Sequence, residues 1–114
     1  MTLKYHTRRD YMKIIGKNPI TGLDYPDPDV IRVDDTYYMV STTMHFVPGC
    51  EILRSYDLVH WEHLSYVYER LDSTEEQRLV GEKNCYGKGM WAASLRYHKG
   101  MYYICFVAND TGKT

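Results

Sequence analysis

Apolar and polar positions alternate through most of this chain in short runs bounded by turn residues, the period expected of strands. The first run covers 29–33 and ends at Asp34-Asp35, and a second covers 36–43. A third apolar run, Glu51-Ile52-Leu53-Arg54, turns at Ser55-Tyr56-Asp57-Leu58 into a fourth, Trp61-Glu62-His63-Leu64-Ser65-Tyr66. Four short strands joined by tight turns predict an antiparallel meander. Two of them are apolar on both faces, as a sheet covered on both sides requires. Residues 69–78 are polar and charged, and there a helical turn or a loose loop is expected.

The pattern then returns. Ser94-Leu95-Arg96-Tyr97-His98-Lys99-Gly100-Met101-Tyr102-Tyr103-Ile104-Cys105-Phe106-Val107 echoes the stretch from Val30 to Ser41. Each contains a strand with an arginine, a short polar turn with one extra residue in the second copy, and a strand with Tyr-Tyr near its start. A repeated four-stranded meander is the mark of a β-propeller, whose blades surround a channel. Closure needs about four blades or more. The expectation is therefore an all-β chain holding the first blade and part of the second, an N-terminal portion of a larger protein.

Within this pattern Tyr25-Pro26-Asp27-Pro28-Asp29 stands out. Each proline fixes its own φ and disfavours helical geometry in the residue before it, so Tyr25 and Asp27 are expected to be extended. Neither proline can donate to a ladder, so the segment belongs at a strand's edge or start. A stiff mount ending in a carboxylate suits a catalytic base. It suits equally a turn whose aspartate caps nearby N–H groups.

Composition narrows the function classes. Hydrophobic content of 44%, charged content of 25% and a net charge of −1 describe an ordinary globular protein. No apolar run nears the roughly 20 residues of a membrane span, and no signal-peptide core follows the basic start. A cytoplasmic location is the expectation, with a twin-arginine export signal at Arg8-Arg9 as the alternative. Lys4, Arg8, Arg9, Lys13 and Lys17 make residues 1–17 a basic extension, while the rest of the chain is acidic, so no nucleic-acid stripe is expected. Cys50, Cys85 and Cys105 are odd in number and have no CxxC spacing, which argues against a disulfide scaffold. Asp24, Asp27 and Asp29 lack the glycine and distal glutamate of a helix-loop-helix calcium site, and no metal is assigned.

Asn18-Pro19-Ile20-Thr21-Gly22-Leu23-Asp24-Tyr25-Pro26-Asp27-Pro28-Asp29-Val30-Ile31-Arg32-Val33-Asp34-Asp35-Thr36-Tyr37-Tyr38 strongly resembles the opening of glycoside hydrolase family 43, which includes β-xylosidases and α-L-arabinofuranosidases. The likeness continues through Ser41-Thr42-Thr43, Pro48-Gly49 and Ser55-Tyr56-Asp57-Leu58-Val59-His60-Trp61, and returns at Gly89-Met90-Trp91-Ala92. It implies a five-bladed propeller, with the first blade at about 27–66, a loop over 67–90 and the second blade starting within 91–114. It also implies an inverting glycosidase that releases xylose or arabinose from oligosaccharides of hemicellulose, using three carboxyl groups. The aspartate of the first Pro-Asp-Pro, the general base, falls on Asp27. The general acid Glu and a pKa-tuning Asp come from later blades, so residues 1–114 alone are expected to be inactive. A propeller that binds carbohydrate without cleaving it is the alternative.

The resemblance further implies that Trp91 lines the sugar pocket, where an indole face suits the C–H face of a sugar ring. A tryptophan packed in the core is the competing reading. Met44 stands where β-xylosidase-like members carry an aromatic reaching the leaving-group sugar, and His45 beside it is a candidate donor to a sugar hydroxyl. Ala93 replaces a proline common after Trp-Ala. Trp61 is expected to pack, and His60, His63 and His98 to be structural or exposed. No cofactor is implied, although a structural calcium ion in the channel of the whole protein fits the family. The implied partner is a xylo- or arabino-oligosaccharide, with no membrane and no specified oligomeric state.

Overall fold

The computed structural model describes residues 16–109. The alternating runs become six strands: β1 (Asp29–Val33), β2 (Thr36–Val40), β3 (Gly49–Ser55), β4 (Glu62–Tyr68), β5 (Met90–His98) and β6 (Met101–Ala108). The described residues form no helix. Most of the basic extension expected over 1–17, and the chain from Asp110, lie outside the described residues. β1 to β4 make one antiparallel sheet in chain order, and β5 and β6 pair as a separate hairpin.

Strand limits depart from the sequence pattern for local reasons. β2 stops at Val40 rather than running to residue 43, because Ser41 and Thr42 leave the ladder to bond the Pro26 carbonyl. β3 starts at Gly49, opposite Tyr68, whose ring leaves no room for a Cβ there. Over 69–78 a single turn forms, with Arg78 N–H donating to the Thr74 carbonyl at 3.1 Å. It is anchored by Gln77, only 2% exposed, whose Oε1 accepts the Ser73 N–H.

The repeat is real, but its register differs from the one read in the sequence. Both hairpin turns hold two residues: Val33 faces Thr36 and His98 faces Met101. Lys99 and Gly100 have φ of +48° and +82°, the left-handed pair that matches strand twist. The extra residue thus lies within the strand, not in the turn. Arg32 is the second residue back from its turn and Arg96 the third, so the two arginines face opposite sides of their hairpins.

The core lies between the two sheets. Val40, Cys50, Met90, Ala93 and Leu95 are buried together, with Tyr38, Ile52, Tyr68 and Phe106 packed on them. Burial pushes the Cys50 thiol up to about 12, so it serves as a small hydrophobe. Cys85 is also buried, whereas Cys105, in the apolar strand β6, is exposed. β5 packs most extensively on β1, less on β2 and β3, and not on β4. Blades converge toward a propeller axis, so this gradient marks β1 and β5 as the inner strands.

Candidate active site at the inner end of the first strand

Asp27 lies two residues before the start of β1 and is exposed. It is not extended as expected: its φ is +48°, in the left-handed region. Aspartate is among the few residues that tolerate this conformation. Tertiary bonds at the Pro26 carbonyl and at the Asp27 carboxylate hold it there. The Pro26 carbonyl accepts the Thr42 N–H at 3.0 Å and the Ser41 hydroxyl at 2.6 Å. The Thr42 hydroxyl donates to Asp27 Oδ2 at 3.1 Å. Backbone held in so sparsely populated a region is characteristic of active sites.

Thr42 also reaches the second blade. Its Oγ1 accepts the Ala92 N–H at 2.8 Å. Ala92 has φ +46° and lies where the β5–β6 register shifts between Trp91 and Ser94. Asp27 and the Trp91 segment are therefore joined through one hydroxyl. Trp91 is half-buried, opposite Val107, and its buried Nε1 has no hydrogen-bond partner among the described residues. A second link runs beside this one, where Met44 and Met90 exchange backbone hydrogen bonds of 3.1 Å. The approach is close enough that a Cβ at Gly89, φ +86°, would lie 2.5 Å from the Met44 carbonyl oxygen.

Met44 lines a cleft of about 280 Å³ between Asp24–Pro26 on one side and Phe46, Glu51 and Tyr66 on the other. Neither Asp27 nor Trp91 lines it, so the cleft lies beside the carboxylate rather than over it. Within it, burial, helped by Glu51 and Tyr66, raises the Tyr25 phenol above its ordinary pKa. His45 sits between Phe46 and Tyr86, with ring centroids 4.3 and 4.6 Å away. Its Nδ1 accepts the Gly87 N–H at 3.2 Å, which leaves Nε2 as the nitrogen available to another group.

Asp29, two residues past Asp27, has a different role, and sequence reasoning missed it. Its Oδ2 accepts the Leu95 N–H and Arg96 Nη1, both at 2.8 Å, and the Ser94 hydroxyl at 3.3 Å. The Leu95 N–H is the largest cause holding this carboxyl below its ordinary pKa, assisted by Arg96 and Ser94 against partial burial. Asp24, Asp27 and Asp29 do not converge. Among the described residues, no group of three or more His, Cys, Asp or Glu could hold a metal ion. His60 pairs with Asp57, and His63 pairs with Glu51 at the cleft wall. Trp61 donates its Nε1–H to the Leu58 carbonyl.

The family model for glycosyl hydrolases family 43 matches residues 16–114. The chain belongs to this family. It is 42% identical over 86 residues to a beta-xylosidase of Formosa agariphila, across 75% of this chain and 14% of that protein. It is 39% identical over 89 residues to a non-reducing end alpha-L-arabinofuranosidase of Bacteroides ovatus, across 77% of this chain and 16% of that protein. Among solved structures, a bifunctional GH43-CE protein of Bacteroides eggerthii superposes with a TM-score of 0.79 at 47% identity, covering 85% of this chain and 12% of that one. The chain thus spans about a seventh of the length of these relatives. On the family's five-bladed propeller, β1–β4 form one blade and β5–β6 part of the next.

Proposed function

We propose that these residues supply the general base and part of the sugar pocket of an inverting glycosidase that releases xylose or arabinose from hemicellulose-derived oligosaccharides. The observation that carries this reading is the state of Asp27. It is exposed at the inner end of β1 and held at Oδ2 by a single hydroxyl, while Oδ1 has no protein donor among the described residues. A base needs one oxygen fixed and the other open to water.

In the proposed reaction, water gives a proton to Asp27 Oδ1 as its oxygen bonds to the anomeric carbon. The glycosidic C–O bond breaks on the opposite face, and the departing oxygen takes a proton from a glutamic acid on a later blade. Inversion requires base and acid roughly 6.5–9.5 Å apart, leaving room for the water. Carboxyl groups on different blades of one rigid ring can hold that gap. Trp91 and the Met44–His45 loop would border the sugar, and the chemistry calls for no cofactor.

The test is Asp27→Asn in the five-bladed protein. The amide keeps size and hydrogen bonding but accepts no proton, so turnover on aryl xylosides and arabinosides should fall roughly 10²–10⁴-fold while sugar binding persists. A variant that keeps most of its turnover would remove Asp27 from the mechanism.

A further inference from the structure

Thr42 is 4% exposed and satisfied on every side. Its N–H donates to the Pro26 carbonyl, and its hydroxyl lies between the Ala92 N–H and Asp27 Oδ2. The direction of both hydroxyl bonds is fixed by chemistry. A backbone N–H can only donate and a carboxylate can only accept, so the hydroxyl proton must point at Asp27. We propose that Thr42 is a positioning residue through which the second blade sets the aim of the first blade's carboxylate. With Oδ2 fixed in this way, Oδ1 is the oxygen turned toward water.

Two further features support this role. Left-handed backbone is uncommon for residues other than glycine, yet both partners of the hydroxyl adopt it, Asp27 at +48° and Ala92 at +46°. The bridge also ties two segments 65 residues apart in sequence at their inner ends, so it forms only when the blades pack together. The base is then aligned only once the second blade has docked on the first.

The proposal rests on Asp27 being the base, and the experiment separates the two claims. Thr42→Val, Thr42→Ser and Asp27→Asn are made in the five-bladed protein, and kcat, KM and melting temperature are measured on an aryl xyloside or arabinoside. Rates are normalised to the folded fraction well below the melting temperature. Thr42→Val should lower kcat about 10–100-fold, as expected when a reacting group loses its alignment, with a much smaller rise in KM. Thr42→Ser, which restores the hydroxyl, should recover most of kcat.

If Asp27→Asn is inactive but Thr42→Val turns over like wild type, Thr42 positions nothing and the base assignment stands. Equal losses in the valine and serine variants would assign the effect to the methyl group's packing and overturn the proposal. An active Asp27→Asn protein overturns both claims. Should the valine variant not fold, Thr42→Ala is measured in its place. Failure of both hydroxyl-free variants to fold would assign the hydroxyl to stability and likewise overturn the positioning role.

Discussion

The turn before β1 and the first residue of β1 carry two aspartates separated only by Pro28, yet the fold uses them in opposite ways. Asp29 spends its Oδ2 on three donors from β5 and becomes a joint between the blades. Asp27 receives one hydroxyl and stays exposed. The difference follows from backbone geometry. Asp29 lies in a regular strand and points across to the neighbouring hairpin, whereas Asp27 is turned out of the ladder by its left-handed φ. A carboxylate that accepts three donors is a poor base, because each donor favours its charged form. Asp27, with one donor and greater exposure, can still act on water.

The largest effect expected from this contrast is a separation of rate from stability. Asp27→Asn should cost roughly 10²–10⁴ in turnover, equivalent to about 3–5.5 kcal/mol of barrier, with an almost unchanged melting temperature. Asp29→Asn should do the reverse and leave turnover per folded molecule near wild type. Paired melting curves and single-turnover rates read both quantities. The contrast fails if the two variants lose activity in parallel.

Gly89→Ala tests whether weakening the joint alone can reach the chemistry. Gly89 has φ +86°, and an added Cβ would press on the Met44 carbonyl, a backbone atom with little freedom to move. The combined strain should destabilise by about 2–3 kcal/mol. Because Met44 and Met90 bond beside the Thr42 bridge, the remaining folded molecules should show a rise in KM rather than a collapse of kcat. Urea denaturation and steady-state kinetics on the same preparation give both values.

The meander and the repeat were legible in the sequence because period-two alternation is local. Asp27 drew attention because prolines on both sides of an aspartate are unusual. Its conformation was not. The rule for residues before proline describes a chain free of tertiary bonds, and here Ser41 and Thr42 override it through the Pro26 carbonyl. Thr42 and Asp29 were missed for one shared reason: their partners lie 50 and 65–67 residues away. The available signal was Ser41-Thr42-Thr43, three hydroxyls directly after an apolar strand, two of which are buried. A buried hydroxyl needs a partner, so a polar run of this kind marks a place where another segment must arrive. The two arginines were equated because alternation in a hairpin survives a shift of one residue, although such a shift reverses the face.

The smallest effect, and the most specific to Asp29, is its dependence on pH. Its carboxyl is held below the ordinary 3.8, chiefly by the Leu95 N–H. A group whose pKa is lower when folded stabilises the fold above its unfolded value, and that stability is lost as pH falls through the folded value. The side chains of Asp29 and Arg96 are 31% and 68% exposed, so solvent screens their ion pair and the backbone bond carries most of the effect. Asp29→Asn should therefore cost about 1 kcal/mol near neutral pH. The gap between wild type and variant should narrow steadily below 3.8 and close once the wild-type carboxyl is protonated. Denaturant titrations of both proteins through this range read the gap directly. A gap that stayed constant into acid would mean that Asp29 contributes through packing rather than charge, and the division of labour between the two aspartates would lose its electrostatic basis.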